Sequence, residues 1–240
     1  MFLPGILRDT YYAVLDVVYP PLCLGCEEFL ERHERFVCIR CWQSIRRVSA
    51  DDTTVRLLKH RLTEQGPVDR IFSLYYFEER GSLQPIIHAL KYRGLTSVGF
   101  ELGKKVGEAI RSGNPQSRFD CVVPVPLHRS KYRERGYNQS EYIARGIADV
   151  LNIRSIDLSA VKRIRPTDSQ TRLTVEERRA NIEGAFRVVR PARIEGKHLL
   201  LVDDVITTGA TVTECARVIK DAGANVIDVA SIALARSKVE

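Results

Sequence analysis

The chain has 240 residues, of which 44% are hydrophobic and 28% charged, and its formal net charge is +7 at pH 7. This length is sufficient for one α/β domain plus a small additional module, which would need a bound metal or a covalent cross-link to be stable. The positive charge favours a polyanionic partner, either a phosphate-rich small molecule or a nucleic acid. No apolar segment is long enough to span a bilayer, which argues against stable membrane insertion.

The first predicted element is a helix within Met1–Pro21. Apolar residues recur there at helical spacing, and the polar face is not strongly basic. We therefore predict an amphipathic helix that packs against the rest of the protein rather than on a membrane. The segment lacks the basic leader of a signal peptide, so we expect a cytoplasmic protein. The apolar positions are Ile6, Leu7, Tyr11, Val14, Leu15 and Val18.

Four cysteines follow as two C-x-x-C pairs, Cys23 with Cys26 and Cys38 with Cys41. A tight turn within each pair brings two thiolates to one metal, and the intervening residues can fold back to complete a tetrahedral site. Zinc best suits four thiolates, with iron as the alternative ion. Two disulfides would suit a short secreted chain, and a redox dithiol needs a single pair. We therefore predict a structural Zn²⁺ site with four cysteine ligands. His33 lies between the pairs in the polar run Glu31–Arg35 and is interpreted as a solvent-facing residue, with replacement of one cysteine ligand as the alternative.

The rest of the chain alternates between predicted strands and helices, which is typical of a mainly parallel sheet with right-handed crossovers. We place residues 1–55 in a helix-plus-zinc module and residues 56–240 in an α/β domain. Ligands of such sheets bind beyond the carboxyl ends of the strands. The predicted strands are Ile71–Phe77, Phe119–Val125, Ala160–Ile164, Leu199–Asp203 and Val226–Ala233, and the predicted helices are Leu83–Tyr92, Ser97–Arg111, Gln139–Leu151 and Thr211–Ala222.

A basic segment follows the second of these strands. Cations occupy every second position, at Arg129, Lys131, Arg133 and Arg135, so an extended backbone would project all four to one side. Negative charge grows on a pyrophosphate leaving group as its C–O bond breaks, and a cationic loop at a strand end would stabilise that charge. The alternative is an ordinary solvated basic loop. We predict that these four residues bind pyrophosphate.

The most informative motif is the run Leu199–Thr211. Its apolar start, Leu199–Val202, is typical of a parallel strand buried on both faces. Asp203 and Asp204 can accept hydrogen bonds from vicinal hydroxyls, such as those of ribose. The turn Thr207–Thr211 places hydroxyls and free backbone N–H groups at a helix N-terminus, where a phosphate monoester is favoured. The motif therefore predicts a ribose 5-phosphate site, whose phosphate-binding residues are Thr207, Thr208, Gly209, Ala210 and Thr211.

Other nucleotide motifs fit this run less well. A P-loop needs a lysine followed by Ser or Thr, and no lysine occurs between Lys197 and Lys220. A dinucleotide fingerprint needs three spaced glycines, and this turn contains only Gly209. A phospho-acceptor aspartate at a strand end, or an acidic turn before a capped helix, would leave the Thr-Thr-Gly-Ala-Thr loop unexplained.

Five motifs occur together in one order: the C-x-x-C pairs, Leu90–Gly94, Val123–Pro126, Arg135–Ser140 and Val202–Thr211. The last resembles the phosphoribosyl pyrophosphate (PRPP) signature of type I phosphoribosyltransferases. The whole set resembles the ComF family, phosphoribosyltransferase-like proteins associated with competence for DNA uptake, with relatives linked to gluconate use. The resemblance implies a type I phosphoribosyltransferase-like α/β fold with an N-terminal zinc module. It also implies a loop and short helix near the site at Arg165–Thr171, Arg178, Arg179 and Asn181.

The resemblance also implies a mechanism and several alternatives. PRPP would bind with Mg²⁺, Lys91 would join the basic loop on pyrophosphate, and Asp203 and Asp204 would hold the ribose and stabilise its developing positive charge. The protein is then either a phosphoribosyltransferase with an unidentified acceptor or a non-catalytic adaptor that senses PRPP and docks a partner. Direct binding of single-stranded DNA, with Tyr132 and Tyr137 stacking on bases, is a further alternative. The implied macromolecular partners are single-stranded DNA and a competence helicase or DNA-processing protein.

Overall fold

The computed structural model describes residues 20–49, 51–64, 66–166 and 175–235. The apolar positions of the predicted N-terminal helix, Ile6 to Val18, lie outside the described residues, as does the part of Arg165–Thr171 beyond residue 166. Within the described ranges, no helix is both long and apolar enough to cross a membrane.

Helices and strands alternate from the first strand onward. The helices are α1 (Ile39–Ser44), α2 (Thr53–Thr63), α3 (Leu83–Tyr92), α4 (Thr96–Gly113), α5 (Arg129–Arg135), α6 (Gln139–Leu151), α7 (Val175–Ile182) and α8 (Ala210–Asp221). The strands are β1 (Arg70–Phe77), β2 (Cys121–Pro124), β3 (Val161–Arg163), β4 (Phe186–Val188), β5 (His198–Ile206) and β6 (Val226–Ala235).

The main sheet has four parallel strands in the order β1-β6-β5-β2. Because β5 is an inner strand, its apolar residues are buried on both faces of the sheet. Leu200 and Val202 join the core beneath α3, α4 and α6, whereas Leu199 and Leu201 join the core beneath α2 and α8. The sheet therefore separates two apolar cores, and elements from both faces can reach its carboxyl edge.

Two strands differ from the sequence-based expectation. β5 continues through Asp203 and Asp204 to Ile206, because its pairing with β6 persists beyond the acidic pair. The predicted strand Ala160–Ile164 forms β3, but this strand pairs antiparallel with β4 in a second, two-stranded sheet. β4 has only three residues, too few to show an alternating pattern in the sequence.

The basic segment Arg129–Arg135 is helical, so the predicted extended conformation is wrong. Arg, Lys and Glu are good helix formers, and this intrinsic preference outweighs the two-residue charge alternation. His128 caps the helix by accepting a hydrogen bond from the N–H of Ser130, and Gly136 ends it with a φ of 79°. Residues two positions apart therefore lie on opposite sides of the helix, and the four cations are divided into two pairs.

The cysteine-containing segment packs directly on the α/β domain. Three of its four cysteines are buried in the same apolar core as α3 and α4, and Trp42 stacks on Tyr75 with ring centroids 6.3 Å apart. The backbone of residues 46–48 forms hydrogen bonds of 2.9 and 3.0 Å with the outer edge of β1. The domain boundary predicted from the sequence, between residues 55 and 56, lies inside α2. Leu58 and Leu62 of this helix are buried in the second core, beneath α2 and α8.

Candidate active site

A cavity of about 330 Å³ lies at the carboxyl edge of the main sheet, beyond the ends of β1, β2 and β5. This is the edge where the topology favours ligand binding. The cavity brings together most of the predicted site residues, which come from three separate stretches of chain. They are Lys91, Lys131, Arg135, Asp203, Asp204, Thr207, Gly209, Ala210 and Thr211.

The acidic pair is held by specific contacts. Asp204 is buried, and its Oδ2 lies 2.7 Å from Nζ of Lys91, while its Oδ1 accepts a hydrogen bond of 2.6 Å from the N–H of Val205. Oδ1 of Asp203 accepts hydrogen bonds from Oγ of Ser140 at 3.2 Å and from the N–H of Asp204 at 2.9 Å. Both carboxylates are therefore positioned before any ligand arrives.

Asp203 has an unusual protonation equilibrium. Two effects raise the pKa of Asp203 to about 7: burial, which is the larger, and the negative charge of Asp204. The N–H of Asp204, the ammonium of Lys91 and the hydroxyl of Ser140 act in the opposite direction. Because the folded state binds this proton more tightly than the unfolded state, protonation stabilises the fold at low pH, and this contribution is lost as pH rises through about 7.

We expect a ligand that requires ionised Asp203 to bind more tightly as pH rises toward and just above 7. The affinity should increase about tenfold between roughly pH 6 and pH 8, because ligand binding below the pKa must expel the proton. Calorimetric titration across this range measures the effect. Asp203→Asn is the control, because it retains only the titration of the ligand's own phosphates. An equal pH dependence in the two proteins would contradict this assignment.

The loop Thr207–Thr211 leads directly into α8. Gly209 is the N-cap of the helix and has a φ of 82°, a conformation that favours glycine. A Cβ at Gly209 would lie 2.7 Å from Cδ2 of Leu62, so α2 packs closely behind the loop. Thr208 does not line the cavity; its Oγ1 accepts a 3.5 Å hydrogen bond from the N–H of Ala210. The remaining loop residues place the N-terminus of α8 at the cavity, which favours an anion there.

The four cations of α5 do not act as one group. Lys131 and Arg135, one turn apart, line the cavity. The guanidinium of Arg135 lies 5.2 Å from the ring centroid of Tyr92 and donates to Oε1 of Gln139 at 2.9 Å. Its buried Nε has no hydrogen-bond partner among the described residues. Arg129 and Arg133 are exposed and lie outside the cavity lining, because they occupy the other side of the helix.

Sequence reasoning missed Arg163, which β3 brings into the cavity lining. Its guanidinium lies 5.4 Å from the ring centroid of Phe186. Burial lowers the pKa of Arg163, and the negative charge of Asp203 opposes this effect. A single arginine on a three-residue strand carries no motif, so only the three-dimensional arrangement shows its place. The cavity also has an apolar and aromatic wall, formed by Phe77, Tyr92, Val125, Pro126 and Leu127.

The four cysteines of the two C-x-x-C pairs form a second cluster. Their Sγ atoms all lie within 4.8 Å of one another, and those of Cys26 and Cys38 are 3.8 Å apart. Thiolates at the usual Zn–S distance of roughly 2.3 Å in a tetrahedron are separated by about 3.8 Å, so the cluster can hold a metal ion. Backbone N–H groups of Gly25 and Cys38 each donate to Sγ of Cys23 at 3.3 Å. Burial opposes ionisation of Cys23, but the backbone donors lower its pKa to about 7.

We expect purified protein to carry about one zinc ion per chain. Cys38→Ser should release the metal and loosen the module, because one of four ligands is lost. Metal analysis by mass spectrometry measures the stoichiometry, and Cys121→Ser, a buried cysteine outside the cluster, is the matched control. Protein prepared without chelators that contains neither zinc nor iron would contradict the assignment.

Comparison with known proteins identifies the class of the domain that carries the cavity. Residues 137–240 match the model of the phosphoribosyl transferase domain. Solved structures with detected similarity include adenine phosphoribosyltransferase from Saccharomyces cerevisiae, which is 16% identical and covers 67% of this chain and 76% of its own, with a TM-score of 0.36. The type I phosphoribosyltransferase-like fold expected from the sequence is confirmed.

The relatives identify the family. Competence protein F from Haemophilus influenzae is 33% identical over 225 residues, which cover 92% of this chain and 93% of that protein. Competence protein ComFC from Bacillus subtilis is 23% identical over 234 residues, covering 96% and 91% of the two chains. The DNA utilization protein YhgH from Escherichia coli K12 is 34% identical over 151 residues, 61% of this chain and only 65% of its own length. The chain belongs to the ComF family.

Proposed function

We propose that this protein binds PRPP at the candidate active site and acts in the handling of DNA during uptake. The observation that carries the proposal is a single cavity that combines an acidic pair, a helix N-terminus and two cations from a facing helix. These three features suit the three parts of PRPP. Carboxylates suit ribose hydroxyls, a helix N-terminus suits the 5-phosphate, and cations suit pyrophosphate.

The residues then have distinct roles in displacement at the anomeric carbon. Asp203 and Asp204 hold the ribose hydroxyls and stabilise positive charge on the sugar, while the loop Thr207–Thr211 fixes the 5-phosphate. Lys131 and Arg135 stabilise the charge that grows on pyrophosphate as the C–O bond breaks. Mg²⁺ bound with PRPP would neutralise part of that charge, and the carboxylate oxygens lining the cavity are the hard donors it prefers. Positioning and electrostatics supply the rate, so no nucleophilic side chain is required.

The role in DNA handling is supported by the relatives. Two are named competence proteins and a third is named a DNA utilization protein. The net charge of +7 is also compatible with a polyanionic partner.

The proposal is tested by calorimetric titration of PRPP with and without Mg²⁺. We expect saturable binding that Mg²⁺ strengthens. A second assay measures pyrophosphate release in the presence of free bases and of DNA, because release identifies turnover. Binding without release under every condition would favour a PRPP-sensing adaptor over a transferase. Absence of PRPP binding in zinc-loaded, folded protein would overturn the proposal.

A second candidate function, binding of single-stranded DNA, is favoured by the outer side of α5. Arg129 and Arg133 are exposed there, and Tyr132, which lies between them in the sequence, is 49% exposed. Cations beside an exposed aromatic ring suit a single strand, whose phosphates pair with the cations and whose bases stack. Tyr137, by contrast, is partly buried and donates from its hydroxyl to the carbonyl of Leu90, so it is not available for stacking.

We expect Arg129→Ala with Arg133→Ala to weaken binding of single-stranded DNA and to leave PRPP affinity unchanged. Each lost phosphate contact should lower the log–log salt slope by roughly 0.7. Fluorescence anisotropy with a labelled oligonucleotide at several salt concentrations measures this slope. The matched control is Lys131→Ala with Arg135→Ala, on the cavity side of the same helix, which should weaken PRPP binding more than DNA binding. Equal loss of DNA affinity in both double variants would show that α5 has no separate DNA-binding side.

A further inference from the structure

We propose that Lys91 is a positioning residue for Asp204 and does not contact pyrophosphate. The inference rests on the proposed function and assigns the cations of the cavity to two different tasks. Lys91 holds the carboxylate that receives the ribose hydroxyls, whereas Lys131 and Arg135 receive the pyrophosphate.

The first argument is the geometry of Lys91. Its Nζ lies 2.7 Å from Oδ2 of Asp204, and the side chains of the pair are only 24% and 7% exposed. Burial by itself would lower the pKa of Lys91, but the negative charges of Asp204 and Asp203 outweigh it and raise the pKa. An ammonium that moved away from Asp204 toward pyrophosphate would leave a buried carboxylate without its charge partner, beside a second carboxylate. The ion pair therefore favours Lys91 remaining at Asp204.

The second argument is the anchoring of α3, the helix that carries Lys91. At its N-terminus, Oγ of Ser82 lies 2.8 Å from Oγ of Ser44, at the end of α1 beside the cysteine cluster. At its C-terminus, the carbonyl of Leu90 accepts a hydrogen bond from the hydroxyl of Tyr137. The next residue after Lys91, Tyr92, lies beneath the guanidinium of Arg135. A helix fixed at both ends presents Lys91 at one place, as a positioning role requires.

The third argument is the contrast with α5. Lys131 lines the cavity from a different helix, and Arg135 donates to a neutral amide, that of Gln139, rather than to a carboxylate. The buried Nε of Arg135 is without a hydrogen-bond partner among the described residues. The charge of Arg135 is therefore available to an incoming anion, whereas that of Lys91 is already matched by Asp204.

The test compares Lys91→Met with Lys131→Met, which remove the same ammonium from two sides of the cavity. Three probes are titrated into each zinc-loaded protein: PRPP, ribose 5-phosphate and inorganic pyrophosphate. Lys91→Met should weaken ribose 5-phosphate and PRPP by similar factors, about tenfold, with a change of less than about twofold for pyrophosphate. Lys131→Met should weaken PRPP and pyrophosphate while changing ribose 5-phosphate by less than about twofold. Lys91→Arg should retain more ribose 5-phosphate affinity than Lys91→Met.

A double-mutant cycle with Asp204→Asn separates positioning from a general loss of structure. In the Asp204→Asn background, Lys91→Met should have little further effect on ribose 5-phosphate, because the two residues act through one contact. The inference would be overturned if the losses of ribose 5-phosphate affinity in the two single variants were additive, or if Lys91→Met changed the three affinities in the same way as Lys131→Met. In either case, PRPP binding by the unmodified protein would still support the proposed function. If the unmodified protein binds neither PRPP nor ribose 5-phosphate, the proposed function itself fails.

Discussion

Replacing both Asp203 and Asp204 with asparagine is expected to lower the affinity for PRPP at least tenfold. The change keeps side-chain size but removes half of the carboxylate oxygens of the pair and, above pH 7 where Asp203 is mostly ionised, two charges. Losing a hydrogen bond to a charged acceptor costs on the order of 1.5–3 kcal/mol, so two such losses exceed a factor of ten. Isothermal titration calorimetry with PRPP measures the loss directly.

Two further ligands make the result specific. Ribose 5-phosphate should lose affinity in parallel, because it presents the same vicinal hydroxyls. Inorganic phosphate should bind equally well or better, because negative charge has left the vicinity of the loop Thr207–Thr211. The fold should persist, since each asparagine retains an Oδ1 for the backbone donors, the N–H groups of Asp204 and Val205. A folded double variant with unchanged PRPP affinity would refute the assignment of both carboxylates.

The largest expected effect on stability comes from Gly103→Ala in α4. A Cβ at Gly103 would lie 2.1 Å from the carbonyl oxygen of Ile143 in α6, and one at Gly146 would lie 2.1 Å from that of Phe100. Because both clashes are with backbone, a helix must move, and overpacking of this kind costs about 2–3 kcal/mol. Urea denaturation should show this loss in the free energy of unfolding. PRPP affinity should also fall, because α6 carries Ser140 to Asp203.

The matched control is Gly113→Ala, at the end of the same helix. A Cβ there meets nothing within 4 Å. The variant should be neutral or stabilised by up to about 1 kcal/mol, because alanine favours helix more than glycine. Equal destabilisation by the two variants would show that the close approach of α4 and α6 does not determine the effect, because helix propensity alone would stabilise both variants.

The sequence alone predicts much of this fold because buried strands and amphipathic helices have strong periodic patterns. Helix Gln139–Leu151 is observed with the predicted bounds, and helix α8 and strand β6 shift by one or two residues at their ends. The conformation of the basic segment was the main error. Its charges repeat every two residues, but exposed charges do not determine secondary structure in the way that buried apolar residues do. Helix propensity and caps decide the conformation there.

The candidate site is predictable where one short stretch carries it and unpredictable where distant stretches meet. Asp203 and the loop Thr207–Thr211 are recognisable because strand, acid and glycine turn are consecutive in the sequence. Neither the ion pair between Lys91 and Asp204 nor the position of Arg163 has a local signal. Both depend on how α3 and β3 pack at the sheet edge. Lys91 and Asp204 are 113 positions apart in the sequence, and a contact between such distant residues produces no periodic pattern that could predict it.

The strand order has a consequence for synthesis of the protein. β6, the last described strand along the chain, lies between β1 and β5 and pairs with both. Because β1 is translated before the other strands, it has no partner in the main sheet until β6 has also emerged from the ribosome, when nearly the whole domain has been synthesised. Incomplete products that end before Val226 lack the strand that joins the two halves of the sheet, and with it a formed cavity. We therefore expect only chains translated through β6 to form the proposed PRPP site.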